Sequence, residues 1–173
     1  MNVVSPLDIH ASAQISAHAR IYPSQRGTRI VIGAETHIYD YVVIRAVGGT
    51  GDLVIGERCH INPHCTLYSG SGITIGNDVL IAPGCSIVPA NHAIDRLDVT
   101  IREQGFMPSK GGIVIENDTW IGANCVLLDG THIESGAVIA AGTVISGPIS
   151  GRAVWGGNPC YKIRDRRPVD SST

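Results

Sequence analysis

The chain has 173 residues, of which 16% are charged, and its formal net charge is −2. This length allows one hydrophobic core of ordinary size, so we predict a single domain over residues 1–173. The small net charge gives no electrostatic reason to expect a nucleic acid or a membrane surface as a partner. The N-terminus lacks a basic segment followed by an apolar one, and no apolar stretch approaches the ~20 residues that span a bilayer. We therefore expect a soluble cytoplasmic protein without membrane insertion.

An aliphatic residue returns at every sixth position through most of the chain. A period of six fits neither the 3.6-residue period of a helix nor the two-residue alternation of an isolated strand. It is typical of a solenoid, in which each short repeat buries its aliphatic residue by stacking on its neighbours. The successive runs are Ile9, Ile15, Ile21; then Ile32, Ile38, Ile44; then Ile55, Ile61, Leu67; then Ile75, Ile81, Ile87; and finally Ile115, Ile121, Leu127, Ile133, Ile139, Ile145.

The interruptions of this rhythm indicate the shape of each repeat. The spacing departs from six after Ile21, Ile44, Leu67 and Ile87, and each of these is the third aliphatic residue of its run. If three hexads make one triangular coil, every insertion leaves from the same corner. The prediction is an all-β solenoid of about six triangular coils over residues 9–145, with parallel strands stacked ~4.8 Å apart.

The longest interruption covers residues 91–112 and reads NHAIDRLDVTIREQGFMPSKGG. Loops of that length in a compact domain are usually functional or disordered, and the mixture of polar and large apolar residues favours a packed functional arm. The rhythm ends after Ile145, where Gly147 and Pro148 follow. We expect residues 146–173 to form a short C-terminal cap, made of a strand and a helix, and a polar tail.

Four of the five cysteines fall on the repeat, each four residues after an aliphatic position that marks it. Small residues such as Ala13, Thr36 and Val79 fill the same position in other repeats. These cysteines therefore fit small buried hydrophobic side chains. A zinc site or disulfides are less well supported, because there is no C-x-x-C pair and the number of cysteines is odd. The four are Cys59, Cys65, Cys85 and Cys125, whereas Cys160 lies outside the repeat.

Three features together resemble the hexapeptide-repeat acyltransferases, in particular the sugar O-acetyltransferases and the chloramphenicol and streptogramin acetyltransferases. They are the hexad run with its long loop, the segment TWIGANCVLLDGTHIESGAVIAAGTVIS and the closing GGNPCYKIR. The resemblance covers roughly residues 9–167. It implies a left-handed parallel β-helix, which is an exception to the usual right-handed crossover. It also implies a homotrimer that uses acetyl-CoA and a small-molecule or saccharide acceptor, with active sites in the clefts between subunits.

The resemblance implies roles for individual residues. The long loop of such enzymes supplies a histidine as general base, and His92 is the only histidine in this arm. An asparagine near the acceptor, on the coil that precedes the loop, matches Asn62, and a tryptophan in a W-I-G turn matches Trp120. Small residues that line the pantetheine chain correspond to Ala123, Ala141 and Gly142, and basic residues that meet the coenzyme's phosphates correspond to Arg164 and Lys162. The sequence departs from the family in two places: Cys160 stands where alanine is usual, and the arm begins N-H-A-I-D where relatives often have H-P.

The chemistry of acetyl transfer agrees with the role implied for His92. Transfer from a thioester to a hydroxyl requires removal of the hydroxyl proton as the oxygen attacks. Imidazole suits this task because its ordinary pKa, ~6.5, keeps it largely neutral at pH 7. Without the resemblance, His92 would be interpreted as a surface histidine with a local hydrogen bond.

Further residues are candidates for the substrate site. Trp120 directly precedes the inward Ile121, so its ring should point outward, where it would be costly to expose on a single prism. His60 has the equivalent outward position on an earlier coil. The charged residues of the arm could orient His92 or bind the acceptor, and the sequence does not choose among Asp95, Arg96, Asp98 and Glu103.

The predicted function is an acetyl-CoA-dependent O-acetyltransferase that acts on a sugar or polysaccharide-precursor hydroxyl and needs no metal. An antibiotic acetyltransferase and a nucleotide-sugar N-acetyltransferase are the alternatives within acyl transfer. The γ-type carbonic anhydrases share the hexad prism but hold zinc with three histidines. The third possibility is a non-enzymatic prism that only assembles with other proteins. An absence of CoA binding would favour it. The spacing of the central histidines does not reproduce the zinc pattern; they are His60, His64, His92 and His132.

Overall fold

The computed structural model describes residues 7–167, which form a left-handed parallel β-helix. The chain passes through three sheets in turn, so that each coil contributes one strand to every sheet. Coils bond to one another through backbone groups, for example from Gly56 N to Ile75 O at 2.8 Å. The predicted solenoid of triangular coils is therefore confirmed. None of the helices within the described range is long and apolar enough to cross a membrane.

The strands are named in chain order and fall into three sheets. Sheet A contains β1 (Leu7–Ile9), β4 (Ile30–Ile32), β7 (Leu53–Ile55), β10 (Ile73–Ile75), β13 (Ile113–Ile115), β16 (His132–Ile133) and β19 (Pro148–Ile149). Sheet B contains β2 (Gln14–Ile15), β5 (His37–Ile38), β8 (His60–Ile61), β11 (Leu80–Ile81), β14 (Trp120–Ile121), β17 (Val138–Ile139), β20 (Ala153–Gly156) and β21 (Tyr161–Asp165). Sheet C contains β3 (Arg20–Tyr22), β6 (Val43–Arg45), β9 (Thr66–Tyr68), β12 (Ser86–Val88), β15 (Val126–Leu128) and β18 (Val144–Ile145).

The core consists of the hexad aliphatic residues, which stack in register from coil to coil. In sheet A, for example, Ile55 pairs with Ile75 and Ile75 with Ile115. From the second coil to the sixth these residues are at most 1% exposed. Branched aliphatic side chains pack well on a pleated surface, so each coil buries a face that it could not bury alone. The four repeat cysteines lie in the same core as buried free thiols.

The insertions all leave from the corner between sheets C and A, as their spacing predicted. Each one joins a strand of sheet C to the next strand of sheet A. The longest of them runs from the end of β12 to the start of β13 and carries the arm. The β-helix therefore places the arm at one defined edge of the prism, between the fourth and fifth coils.

The C-terminal segment contains strands and, up to Arg167, no helix, so the prediction of a capping helix was wrong. Strands β19 and β20 begin a seventh coil on sheets A and B, and β21 returns antiparallel to β20. The segment Tyr161–Asp165 alternates with a period of two, which suits a strand better than a helix. Strand β21 covers the last edge of sheet B, which would otherwise present unpaired backbone groups.

Candidate active site

The arm, residues 91–112, begins and ends as a short antiparallel ribbon. Ala93 N donates to Gly105 O at 3.0 Å, and Met107 N donates to Asn91 O at 2.8 Å. His92 and Phe106 face each other between these two bonds. The position of His92 is therefore fixed by backbone pairing, as in a sheet.

The tip of the arm is closed by a short helix and by one amide side chain. Helix α1 (Ile101–Gln104) has Thr100 as its N-cap residue. The Thr100 side chain accepts from the backbone N–H of Glu103, and the Glu103 side chain accepts from the backbone N–H of Thr100. The Gln104 side chain accepts from Arg96 N at 3.0 Å and donates to Arg96 O at 2.8 Å. These local bonds hold the arm together from within, while the packed functional arm expected from its composition stays a prediction.

The hydrogen bond of His92 determines which of its ring nitrogens is free. Nδ1 lies 3.1 Å from the carbonyl oxygen of Gly105, and a carbonyl can only accept, so Nδ1 must carry the proton. In the neutral ring, Nε2 is then the acceptor. The ring is exposed on its other side and stacks on Phe106 with centroids 4.7 Å apart. This is the tautomer that a general base needs.

A cavity of about 460 Å³ opens beside His92, at the junction of the arm with sheet C. Its wall is largely apolar, and its polar groups are an amide, an imidazole, an ammonium and a hydroxyl. Such a mixture can hold the body of a small ligand and fix its orientation. The lining residues are Asn91, His92, Ile94, Met107, Pro108, Lys110, Leu128 and Ser146.

A second candidate region is the outer face of sheet B. Trp120 points outward as predicted and is 51% exposed, and Leu80 directly below it is 46% exposed. Strand register continues this outward column in both directions, so that His60 and Arg164 lie on one face. From the third coil upward the column is His60, Leu80, Trp120, Val138, Val154 and Arg164.

Asn62 does not lie on the coil that directly precedes the arm, so that part of the prediction was wrong. It follows β8 on the third coil, whereas the arm leaves the fourth, because each coil is three hexads long. Its side-chain Nδ2 donates to Ile81 O at 2.9 Å, and its backbone N donates to the same oxygen at 3.0 Å. Nearby, the His60 ring bonds to the Tyr39 hydroxyl at 2.9 Å and stacks on His37 at 4.8 Å.

The small residues predicted to line the pantetheine chain meet at the corner between sheets B and C. Gly142 N donates to Ala123 O at 2.8 Å, and Ala141 and Gly142 are exposed. A methyl group added at the neighbouring Gly122 would come within 2.6 Å of Ala141 N, so the two coils are in close contact there. The corner presents backbone and methyl groups, which suits a thin flexible ligand.

The basic residues of β21 differ in how far they are already paired. Lys162 Nζ lies 2.6 Å from Asp165 Oδ1, whereas Arg164 Nη1 donates to the backbone oxygen of Asp165 at 3.1 Å. Arg164 therefore keeps its charge available for an anion. It shares a cavity of about 510 Å³ with two arginines that the site prediction omitted, Arg166 and Arg167.

Within one chain the predicted site residues divide into two separate groups. His92 and Asp95 belong to the arm at the corner between sheets C and A, whereas His60, Trp120 and Arg164 lie on sheet B. In a triangular prism that corner is opposite the face formed by sheet B. Asp95 is exposed, and its carboxylate bonds to no polar group within residues 7–167. A single chain therefore does not bring His92 to Trp120.

No group of three or more metal-ligating side chains was found in the described part of the chain. His132 Nε2 instead lies 2.8 Å from Glu116 Oε1, and this hydrogen bond, together with those from Ser135, holds the pKa of the Glu116 carboxyl below its usual value.

Comparison with known proteins agrees with the fold and its repeat. Residues 112–147 match the family model described as bacterial transferase hexapeptide (six repeats). The galactoside O-acetyltransferase of Escherichia coli K12 is 33% identical over 111 residues, which cover 64% of this chain and 53% of that protein. The Saccharomyces cerevisiae protein YJL218W is 35% identical over 125 residues, which cover 70% of this chain and 60% of that protein. The chain thus spans little more than half the length of the curated relatives it matches.

Solved structures share the whole architecture. A variant of AntD, an N-acyltransferase from Bacillus cereus, was solved with dTDP-4-amino-4,6-dideoxyglucose and coenzyme A. It superposes with a TM-score of 0.75 at 22% identity, over 94% of this chain and 84% of that one. The repeat, the coiled fold and these relatives together show that the chain carries the bacterial transferase hexapeptide repeat and is similar to the acyltransferases that share it.

Proposed function

We propose that this protein transfers an acetyl group from acetyl-CoA to a hydroxyl group of a sugar or polysaccharide precursor, with His92 as the general base. The observation that carries the proposal is the bond from His92 Nδ1 to the Gly105 carbonyl, which leaves Nε2 free to accept a proton. The similarity to a galactoside O-acetyltransferase supports a sugar hydroxyl as the acceptor.

The proposed reaction is direct transfer without an acyl-enzyme. Nε2 of His92 takes the hydroxyl proton while the acceptor oxygen attacks the thioester carbon. The carbon–sulfur bond then breaks, and the imidazolium returns the proton to the leaving thiolate. A positioned base of this kind contributes about 10²–10⁴ in rate, and holding the two substrates together supplies more.

The other half of the site is contributed by a second copy of the chain in a homotrimer. Trp120 and Leu80 on sheet B, and Leu97 and Phe106 on the arm, are large apolar side chains with about half or more of their surface exposed. Exposed apolar patches of this kind commonly mark interfaces. Packing the arm of one subunit against sheet B of the next would cover both patches. It would also bring His92 to Trp120, Asn62 and His60, which one chain cannot do.

Coenzyme binding is proposed along sheet B and its corner with sheet C. The backbone at Ala123, Ala141 and Gly142 would line the pantetheine chain, and Arg164, with Lys162 beside it, would meet the phosphates. Guanidinium groups suit this task because they donate paired hydrogen bonds to phosphate oxygens. The buried free thiols of the core fit a reducing compartment, and so support the cytoplasm as the location.

Transfer to an amine is the second candidate, because AntD, a structural neighbour, is an N-acyltransferase and was solved with an amino-sugar nucleotide. The base chemistry of His92 serves either acceptor. An antibiotic acceptor remains the alternative outside saccharides. A panel of galactosides, maltose, amino-sugar nucleotides and chloramphenicol with acetyl-CoA, followed by release of free thiol, separates these reactions.

The test of the base is His92→Ala, assayed with the best acceptor of that panel. We expect kcat to fall by about 10²-fold or more while the affinity for acetyl-CoA is nearly unchanged. His10→Ala is the matched control, since His10 is an exposed histidine of the first coil with its own local bond to Ser12 Oγ at 2.9 Å. A wild-type rate in His92→Ala would exclude His92 from the mechanism.

A further inference from the structure

The cavity beside His92 contains one fully charged side chain, that of Lys110. Asn91, His92 and Ser146 supply its other polar side chains, and no carboxylate lines it. The Lys110 ammonium takes part in none of the ion pairs formed within residues 7–167. The cavity therefore presents an uncompensated positive charge next to the proposed base.

The backbone of Lys110 is fixed by a buried carboxylate on the fifth coil. Asp129 is only 3% exposed, and its Oδ2 accepts from Lys110 N at 2.7 Å. Its Oδ1 accepts from Gly112 N at 2.9 Å and from Ser109 Oγ at 3.1 Å. Both carboxylate oxygens are thus occupied by the returning strand of the arm, and neither pairs with the Lys110 ammonium.

The stem of the Lys110 side chain is also held by close packing. A methyl group added at Gly130 would lie 2.9 Å from Lys110 Cβ and 3.4 Å from Cδ, so the stem lies directly over the Gly130 backbone. Glycine also suits this position because its φ is +86°. Asp129 and Gly130 together set where the lysine starts and which way its stem runs, while its charged end remains unpaired.

We infer that Lys110 recognises an anionic group on the acceptor, so that the acceptor is a saccharide with a carboxylate or phosphate near the acetylated hydroxyl. The inference rests on the proposed function of His92, because the two side chains share one cavity. The phosphates of the coenzyme are the less favoured partner, because Arg164, Arg166 and Arg167 already form a basic cavity at and just after β21.

The inference is tested with acceptors that differ only in charge. The panel pairs glucose and galactose with glucuronate, galacturonate and the corresponding hexose 1-phosphates, each with acetyl-CoA. We expect the wild-type enzyme to favour the anionic member by roughly fivefold to tenfold in kcat/KM, the range of one charge-assisted hydrogen bond in a half-open cavity. Lys110→Met should abolish the preference through acceptor KM, and Lys110→Arg should restore part of it.

Arg102→Met is the matched control, because Arg102 is an exposed cation of the same arm that does not line the cavity. It should keep the preference. Equal rates for neutral and anionic acceptors, an unchanged preference in Lys110→Met, or an effect confined to the KM for acetyl-CoA would each overturn the inference. The last result would assign the lysine to the coenzyme.

A binding measurement separates this inference from the proposed function. Calorimetric titration of glucuronate, galacturonate and glucose 1-phosphate needs no turnover, and binding should weaken in Lys110→Met and at high salt. Lys110-dependent binding without acetyl transfer to any acceptor would keep the anion site and refute the transferase. Acetyl transfer without Lys110-dependent binding would keep the transferase and refute the anion site.

Discussion

At the scale of single residues, the cysteine column at the corner between sheets B and C shows how position controls reactivity. Cys65, Cys85 and Cys125 stack on successive coils and are fully buried. The pKa of the Cys85 thiol is raised to about 11. A hydrogen bond involving Cys125 acts to lower this pKa, but the contact with the Cys65 thiol and burial together outweigh it. The hydrogen bond with Cys85 instead lowers the pKa of the Cys65 thiol, but all three side chains are fully buried. A reagent must reach the thiolate to react with it, so burial should make this column unreactive in the native fold.

Titration with a thiol reagent at pH 8 tests this conclusion. In the native protein only Cys160, which is half-buried and outside the column, should react, and it should do so slowly because burial raises its pKa. In guanidinium chloride all five thiols should react. Cys160→Ser should abolish the native reaction without changing the count of the other four. Fast native modification of Cys65, Cys85 or Cys125 would show that the prism opens at this corner.

Individual side chains differ in how far the sequence could predict them. The buried cysteines were predictable because the hexad rhythm fixes which positions point inward. The tautomer of His92 was not, since it depends on the carbonyl of Gly105, thirteen residues away and brought close only by the arm's own pairing. Asp129 was also missed as a structural residue. No repeat pattern distinguishes a carboxylate that accepts three hydrogen bonds from one that faces solvent.

At the scale of elements, the arm is joined to the prism through Asp129, whose three hydrogen bonds hold residues 109–112. Asp129→Ala would leave two backbone N–H groups, those of Lys110 and the buried Gly112, without this partner. We expect faster hydrogen exchange in residues 91–107 and a lower kcat. The free energy of unfolding of the whole chain should fall by at most about 1–3 kcal/mol. The β-sheet signal in circular dichroism should persist, because the aliphatic columns are untouched.

The matched control for that variant is Asp8→Ala, which removes an exposed carboxylate from β1 at the far end of the prism. It should leave exchange in the arm unchanged. Asp129→Asn retains one oxygen as acceptor, so it should recover part of the protection. If exchange in the arm is the same in Asp129→Ala as in the wild type, Asp129 does not hold the arm.

For elements that follow the repeat, the sequence predicted both the position and the type of structure. For the arm and the C-terminal segment, it predicted where they begin and end but not the strands and helix within them. Strands such as β10 and β13 occur where the aliphatic rhythm places them, since an inward residue every six positions permits little else. The arm was located by the loss of that rhythm. Its ribbon and helix depend on individual hydrogen bonds, such as those between Gln104 and Arg96, and these leave no periodic pattern in the sequence. For the same reason the C-terminal cap was expected to contain a helix, which residues 146–167 do not form.

At the scale of the whole molecule, the triangular cross-section determines how a complete site can form. The arm leaves one corner, and the outward column with Trp120 occupies the opposite face. Adding coils lengthens the prism but never brings these two regions together. Completion of the proposed site therefore requires a second chain, and catalysis should depend on assembly.

Leu80→Asp tests this dependence on assembly. Leu80 points outward from sheet B and is 46% exposed, so a charge there should change the stability of a single subunit by no more than about 0.5 kcal/mol. In the proposed interface the same charge would be buried without a partner, which costs several kcal/mol. Light scattering after gel filtration should show three chains for the wild type and one for Leu80→Asp, with activity lost in parallel. Thr74→Asp places the same charge at an exposed position of sheet A on the same coil and should remain trimeric and active. A fully active monomer would refute the shared site.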